Sequence, residues 1–410
     1  MQTVVVEDPY EFISPHRGRW SPWLVTRLLG GRYVKKNYQV RGCEVRGAEK
    51  MRASLDAGHG IVVTSNHPRP CDPMAASWIT HAVKHPFYCM ASRHTFFGSA
   101  IQIFLMRRCG AFSINREGSD HASLSFCVEA IATADRPIII FAEGLVTRHN
   151  DQIAPLLDGS ALIARMAAKR RAKLKPPGKV VLHGVVFKYF FRGDLNKTLP
   201  PVLNKVESEL GLAQDASLSF QQRAERAFAG LIARRETEFL GEARSGDPDE
   251  RIRYLIDQIL DPLEAEWADD EPLLRSDYQR VQRLRTRILP DMVAKKVTEE
   301  ERQRRWKQLA DCYYAQQLGC YPPGYQVGDG SPERLLELVE SVEEDLFDVA
   351  TPQGPLDLVI QIGDAIEVPA KRERNQDGDP VMAELGEQMA ANLVDVINNP
   401  PEPTRGLRVV

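Results

Sequence analysis

The sequence lacks the features that mark secreted, metal-binding and membrane-spanning proteins. Its seven cysteines are scattered without a C-x-x-C pair, which argues against a zinc cluster or a disulfide scaffold. No apolar run approaches the roughly 18 to 20 residues that cross a bilayer, and the acidic stretch Met1–Glu11 has no signal-peptide core. We therefore predict a cytoplasmic protein without a metal or redox cofactor.

Histidine is absent from the second half of the chain, and charge is divided unevenly between the halves. Residues 1–200 hold all nine histidines and 28 Lys and Arg against 15 Asp and Glu, whereas residues 201–410 hold 25 against 41. Imidazole chemistry and the attraction of anionic ligands or membranes are therefore expected in the first half. Nucleic-acid binding is not predicted, because no binding motif accompanies the basic residues and the net charge is −3.

Hydrophobic patterning predicts an α/β fold interrupted by a helical block. Short apolar runs typical of buried strands alternate with helical stretches in the first half. From about residue 204 to 348 the pattern is charged and helical, and Leu356–Gly363 returns to a strand pattern. The four early strands are predicted at Gly60–Ser65, Phe87–Ala91, Pro137–Phe141 and Lys179–Lys188.

A histidine and an aspartate five residues apart directly follow the first of these strands. His67 could take a proton from an alcohol if Asp72 accepted its other ring N–H and stabilised the imidazolium. Such a base lets an ordinary hydroxyl attack an activated acyl group such as a thioester. The spacing alone also fits an Asp72 that merely caps a helix starting at Pro73.

Two further polar motifs follow apolar elements. Gly110–Arg116 reads G-x-F-x-x-x-R, and Phe141–Gly144 reads F-x-E-G. The ends of neighbouring strands in an open α/β sheet are where an active site collects. The planar fork of Arg116 suits a phosphate.

In this order, the three motifs resemble those of the glycerolipid acyltransferase family, whose type member acylates 1-acyl-glycerol-3-phosphate. The resemblance covers roughly residues 40–192 and implies a glycerol-phosphate acyltransferase-like mixed sheet flanked by helices. It implies that His67 is the general base and that Asp72 orients it. The substrate-binding residues that it implies, several of them for the acceptor's phosphate, are Asn66, Gly110, Arg116, Glu143 and Gly144.

The third and fourth motifs depart from the family pattern. Ala142 stands where the family usually has proline, and the arginine after the glutamate is displaced by two residues to Arg148. We assign Arg148 to the phosphate as well. The fourth motif is recognisable only as Val180–Val186, which leaves the acyl pocket undefined.

The resemblance also gives the helical block a place in the chain. We predict an acyltransferase domain over 1–200 with N-terminal membrane-facing helices, and an acidic helical insertion over 204–350. Residues 351–398 then supply a returning strand and a terminal helix, and 399–410 form a flexible tail. The alternative is a separate carboxy-terminal domain.

Aromatic and basic residues interleave near the amino terminus. Trp20, Trp23 and Leu28 alternate with arginines and lysines between Arg17 and Lys36, as in a helix lying in a membrane interface. The alternative is an ordinary amphipathic helix packed on the core. The first reading predicts a peripheral protein on the inner face of a membrane.

Together these features predict an enzyme that moves a fatty acyl group from acyl-CoA or acyl carrier protein to the hydroxyl of a lysophospholipid. Two alternatives remain open: a different lysolipid or aminolipid acceptor, and a noncatalytic lipid-binding scaffold with the same fold. Cys71, beside Asp72, is interpreted as a bystander rather than a nucleophile.

Overall fold

The described residues fall into two compact units. The computed structural model describes residues 5–18, 20–26, 30–118, 120–175, 178–268, 274, 276–324, 331–371, 378–403 and 405–410. The first, here called the sheet unit, comprises 12–114, 120–193 and 354–410. The second, here called the helical unit, comprises 1–11, 115–119 and 194–353.

The sheet unit contains a mixed eight-stranded sheet, which confirms the predicted α/β class. Its strands are β1 Val40–Arg46, β2 Gly60–Ser65, β3 Tyr88–Ser92, β4 Ala111–Ile114, β5 Ile138–Phe141, β6 Val180–Phe191, β7 Leu356–Glu367 and β8 Gly406–Val409. Their order is β4-β3-β5-β2-β6-β7-β1-β8. Strands β6 and β7 pair antiparallel, and all other neighbours pair parallel.

Helices cover both faces of this sheet because its central strands are apolar on both sides. Val62 of β2 belongs to one buried cluster, while Ile61 and Val63 belong to the other, as the two-residue period of a strand requires. The helices are α1 Trp20–Val25, α2 Gly31–Tyr38, α3 Ala48–Asp56, α4 Asp72–Ala75, α5 Ser77–Val83, α6 Ala100–Arg108, α7 His121–Ala132, α8 Gly159–Arg171 and α15 Pro380–Asn398, with a 3-10 turn at Arg93–Phe96.

The helical unit consists of charged helices, and several of its buried arginines are paired with carboxylates. They are α9 Leu195–Glu209, α10 Phe220–Leu240, α11 Pro248–Trp267, α12 Asp277–Val293, α13 Glu299–Leu318 and α14 Pro332–Phe347. Arg223 lies 2.6 Å from Glu207, and Arg280 lies 2.8 Å from Glu264. These ion pairs explain how a strongly charged sequence forms packed helices.

The chain leaves the sheet after β6 and returns to it in β7. The sequence places the inserted segment at 204–350, whereas the helical unit begins at Asp194, because α9 belongs to it, and ends at Gln353. The returning strand and the terminal helix predicted for 351–398 correspond to β7 and α15, and both lie in the sheet unit.

The carboxy terminus differs from the predicted flexible tail. Gly406–Val409 form β8, which pairs parallel with β1, and Val410 N donates to Val45 O at 2.9 Å. All four strand residues are exposed, so the strand has no alternation of buried and exposed residues from which it could be predicted. Its stability comes from the backbone groups that β1 offers beside it.

The amino-terminal segment forms two short helices, α1 and α2. Trp23, Leu24 and Tyr33 are exposed, whereas Val34 is buried. The side chain of Trp20, and residues Arg19, Arg27 and Leu28, lie outside the described residues. Within the described part of the chain, no helix combines the length and the apolarity needed to cross a bilayer.

Candidate active site

His67 and Asp72 lie in hydrogen-bond contact where β2 ends and α4 begins. His67 Nδ1 is 2.8 Å from Asp72 Oδ2, and Arg69 N donates to the same oxygen at 2.8 Å. Asp72 is fully buried, while 14% of the His67 side chain is exposed. The carboxylate thus fixes the proton on Nδ1 and leaves Nε2 able to accept one. No helix-capping bond from Asp72 is present in α4, so the helix-cap interpretation is not supported.

Tyr189 of β6 completes the support of Asp72. Its hydroxyl donates to Asp72 Oδ1, and burial raises the pKa of this phenol well above its usual range. The amide of Asn150 brackets the Tyr189 backbone, accepting from its N at 2.7 Å and donating to its O at 2.8 Å. Both Asp72 oxygens are therefore occupied by donors within a buried network.

Sequence reasoning missed Tyr189 because it lies in an apolar strand, far along the chain from the motif that it serves. A tyrosine within such a run reads as a core aromatic. Tyr189 could have been identified as a polar side chain on the strand expected to pair with β2. The apolar residues around it in the fourth motif make this hydroxyl easy to overlook.

Glu143 supports the loop that carries His67. Its Oε2 accepts from His67 N at 2.6 Å and from Thr147 Oγ1 at 3.1 Å, while Oε1 accepts from Ala154 N at 2.8 Å. Burial raises the pKa of Glu143 to about 7, although these three donors oppose the rise. The sequence assigned Glu143 to the substrate, but the structure turns its carboxyl inward, onto the backbone of the base.

Asn66 is likewise occupied by the protein. It is fully buried, and its amide donates to Phe187 O at 3.0 Å and accepts from Phe187 N at 2.8 Å. The predicted substrate contact is thus replaced by a bond that fixes the end of β2 against β6, one residue before His67.

Gly110 and Gly144, both predicted at the substrate, adopt conformations that favour glycine. Gly110 has φ +97°, and a Cβ there would lie 2.3 Å from Phe87 O. Gly144 has φ +81° and follows Glu143 in a tight turn. Each glycine shapes the backbone of its motif.

The two arginines predicted to bind phosphate belong to different units. Arg148 lies in the sheet unit, buried and with a left-handed φ of +60°, directly after Thr147, whose N donates to His67 O at 3.0 Å. Arg116 lies in the short segment 115–119, which belongs to the helical unit.

Comparisons with known proteins find similar acyltransferase sequences. The acyltransferase family matches residues 42–187, which include His67, Asp72 and Glu143. Over 125 residues the chain is 27% identical to a 1-acyl-sn-glycerol-3-phosphate acyltransferase of Streptococcus pneumoniae, covering 30% of this chain and 44% of that relative. These two matches support an acyltransferase-family domain in this chain. The chain thus covers less than half the length of this relative.

A largely apolar cavity of about 410 Å³ adjoins the acyltransferase motif. Its lining includes Pro73 and Met74, the residues that follow Asp72, and residues of α6. The apolar side chains that line it include Ile79, Ile101, Leu105 and Met106.

Two other reactive groups of the acyltransferase domain have structural partners. Burial raises the pKa of Cys71 to about 12, and its thiol lies 3.4 Å from the Tyr189 hydroxyl. His183 lies 2.9 Å from Ser54 Oγ and from Gly363 O, fully buried. Among the described residues, no group of three or more His, Cys, Asp or Glu side chains is arranged to hold a metal ion.

Proposed function

We propose that this protein transfers a fatty acyl group from an acyl thioester to the free hydroxyl of a lysophospholipid, with His67 as general base. The observation that carries the proposal is the bond between His67 Nδ1 and the fully buried Asp72, inside a domain of the acyltransferase family. A noncatalytic scaffold has no need of a largely buried network that holds the Nδ1 of this imidazole and leaves its Nε2 for a proton.

The reaction follows from the proton position that Asp72 imposes. Nε2 of His67 takes the proton of the acceptor hydroxyl as its oxygen attacks the thioester carbonyl. The tetrahedral intermediate then expels the thiolate, which receives the proton back from the imidazolium, and the oxygen ester is left as product. Asp72 stabilises the imidazolium throughout. The proposal contains no metal or redox step, and acyl-CoA or acyl carrier protein acts only as co-substrate.

The acceptor is proposed to carry a phosphate, as 1-acyl-glycerol-3-phosphate does. Arg116 and Arg148 are the residues assigned to it. The similarity to the Streptococcus pneumoniae 1-acyl-sn-glycerol-3-phosphate acyltransferase supports this acceptor. A phosphate offers an arginine fork charged acceptor oxygens, which a neutral or amine headgroup does not.

The apolar cavity beside Asp72 is proposed to hold the fatty acyl chain. Its lining by Met74 and Ile79 on one side and α6 on the other offers few polar groups. Burial of methylene groups in such a space stabilises a bound chain by roughly 0.8 kcal/mol per group.

A membrane surface is proposed as the place where the substrates are met. Trp23 of α1 is exposed, as are Phe97, Ile101 and Phe104 in and before α6, and Ile101 is 73% exposed. Basic side chains lie over two of these rings: Arg93 over Phe97 and Arg108 over Phe104. Apolar groups flanked by cations are typical of binding to anionic lipid. We place the protein on the inner, cytoplasmic face of a membrane.

The test is thiol release from palmitoyl-CoA in detergent micelles containing lysophosphatidic acid. We expect acceptor-dependent release by the wild type, its loss in His67→Ala, and its retention in Cys71→Ala, the matched control from the same loop. Release that persists in a folded His67→Ala protein would contradict the proposed base. If neither protein releases thiol, the same pair of variants is compared with acyl carrier protein donors and other lysolipids, and inactivity with all of them favours the scaffold.

A further inference from the structure

The segment between β4 and α7 leaves the sheet unit and joins the helical unit. Residues 115–119 interrupt the sheet unit, which resumes at Asp120, the N-cap of α7. Arg116, the arginine of the second motif, lies in this segment. The helical unit therefore includes the backbone of a residue that the proposed function assigns to the acceptor's phosphate.

One face of α12 contacts this segment. Gln282 Nε2 donates to the Arg116 carbonyl at 3.3 Å. Three residues later, and so on the same side of the helix, Arg285 interacts electrostatically with Glu117. Tyr278, one turn before Gln282, also acts on Arg285. The contacts thus reach the backbone of Arg116 and the side chain of its neighbour.

Arg285 is held in an unusual environment. It is only 5% exposed, and Nη1 donates to Gln316 of α13 at 3.0 Å. Its Nε and Nη2 have no hydrogen-bond partner among the described residues. Burial lowers the pKa of this guanidinium, while the charge of Glu117 opposes that change. A buried cation with so few bonds depends on a nearby carboxylate for compensation.

Glu117 is the complementary group. Burial raises the pKa of its carboxyl, and the charges of Arg285 and Arg116 oppose the rise. Its backbone N donates to Asn115 Oδ1 at 3.3 Å, which bends the segment immediately around Arg116. The attraction between Glu117 and Arg285 therefore acts on the turn formed by residues 115–117, and Arg116 is the central residue of that turn.

We propose that α12 of the helical unit positions Arg116 for the acceptor's phosphate, through Gln282 on its carbonyl and Arg285 on Glu117. This rests on the proposed function. It gives the inserted helices a role in acceptor recognition. Gln282, Arg285 and Glu117 are positioning residues, because they act through Arg116 and not on the substrate.

The kinetic test compares Gln282→Ala, Arg285→Met and Glu117→Gln with the wild type. We expect the KM for lysophosphatidic acid to rise about tenfold, as for partners in one coupled network, with kcat within about twofold and the KM for palmitoyl-CoA unchanged. The matched controls are Gln279→Ala and Arg283→Met on the same helix. Gln279 is exposed, and Arg283 pairs with Glu264 at 2.8 Å. Neither control should change the acceptor KM.

A second measurement tests the anchoring without catalysis. Hydrogen–deuterium exchange of the full-length protein should quicken at residues 112–118 in Gln282→Ala and Arg285→Met, and not in the controls. The proposal is overturned if exchange there is unchanged, or if the variants lower kcat and raise both KM values alike. A wild type without acyl transfer, but with the expected exchange, would contradict the proposed function and leave the anchoring intact.

Discussion

At the scale of single residues, Asp72 determines which nitrogen of His67 can accept a proton. In Asp72→Asn the buried site keeps its shape, but an amide replaces a carboxylate that accepts from His67 Nδ1, Arg69 N and Tyr189 Oη. The imidazolium would lose its counter-charge and the tautomer its control. We expect kcat to fall by about 100- to 10,000-fold with little change in either KM, measured by thiol release. A variant with wild-type kcat would show that Asp72 is structural only.

The pKa of Glu143 makes a separate prediction about stability. Its native pKa of about 7 lies above the ordinary value of 4.5, so between these pH values the native state holds a proton that the unfolded chain has released. The free energy of unfolding should then fall by roughly 3 kcal/mol as the pH rises across that window. Urea denaturation of wild type and Glu143→Gln from pH 4.5 to 7.5 checks this, because the variant should lack this component of the slope. Parallel curves would contradict it.

The network around the base shows how far residue patterns predict a site. His67 and Asp72 are predictable because both lie in one short motif after an apolar strand. Tyr189 and Asn150 are not predictable from it. Tyr189 reaches Asp72 through a hydroxyl that β6 places there, and Asn150 acts only by binding the backbone of Tyr189. Glu143 was found by its motif, but its direction depends on Thr147 and Ala154, whose bonds to it no sequence spacing reveals.

At the scale of elements, the predicted strands are those with continuous apolar sequence. β2 and β5 are largely apolar runs in the middle of the sheet, so their burial on both faces is visible in the sequence. β1 escaped prediction because Arg41 and Glu44 interrupt its pattern. Arg41 pairs with Asp357 at 3.5 Å, and Glu44 is paired with Arg46 at 2.7 Å. The partner of Arg41 comes from β7, which only the fold brings beside β1, whereas the partner of Glu44 lies two residues away in the same strand.

Helix α6 has several apolar residues, and none of its residues is buried, which suits it to contact with lipid. Ile101→Glu with Phe104→Glu should strongly reduce flotation with liposomes that contain anionic lipid, because both side chains are exposed and three residues apart on one side of the helix. Val394→Glu on α15 is the control, since that valine is also exposed and apolar. Equal flotation of all three proteins would contradict a role for α6 in membrane binding.

At the scale of the whole molecule, the order of strands makes the carboxy-terminal region part of the sheet. β7 lies between β6 and β1 and places Leu358, Ile360 and Ile362 in the core. Deletion from Gly354 onward removes a strand from within the sheet and should therefore unfold the sheet unit. Circular dichroism and thermal unfolding of residues 1–353 test this, and a cooperative, active fragment would show that the sheet closes without β7.

The same topology predicts that the sheet unit still folds without the inserted helices, although it does not fold without residues 354–410. Phe191 at the end of β6 pairs directly with Leu356 at the start of β7, and Arg192 N donates to Pro355 O at 2.8 Å. The two strands are thus a hairpin interrupted at its tip, where an Asn-Gly turn could replace residues 194–353.

A chain starting at Phe12 with this turn should remain soluble and unfold cooperatively, because it keeps every strand of the sheet unit and the His67–Asp72 pair. It should also lose affinity for lysophosphatidic acid, since α12 no longer holds the segment of Arg116. Circular dichroism and acceptor KM measure both effects, and an insoluble chain would mean that the sheet unit depends on the helices for its stability.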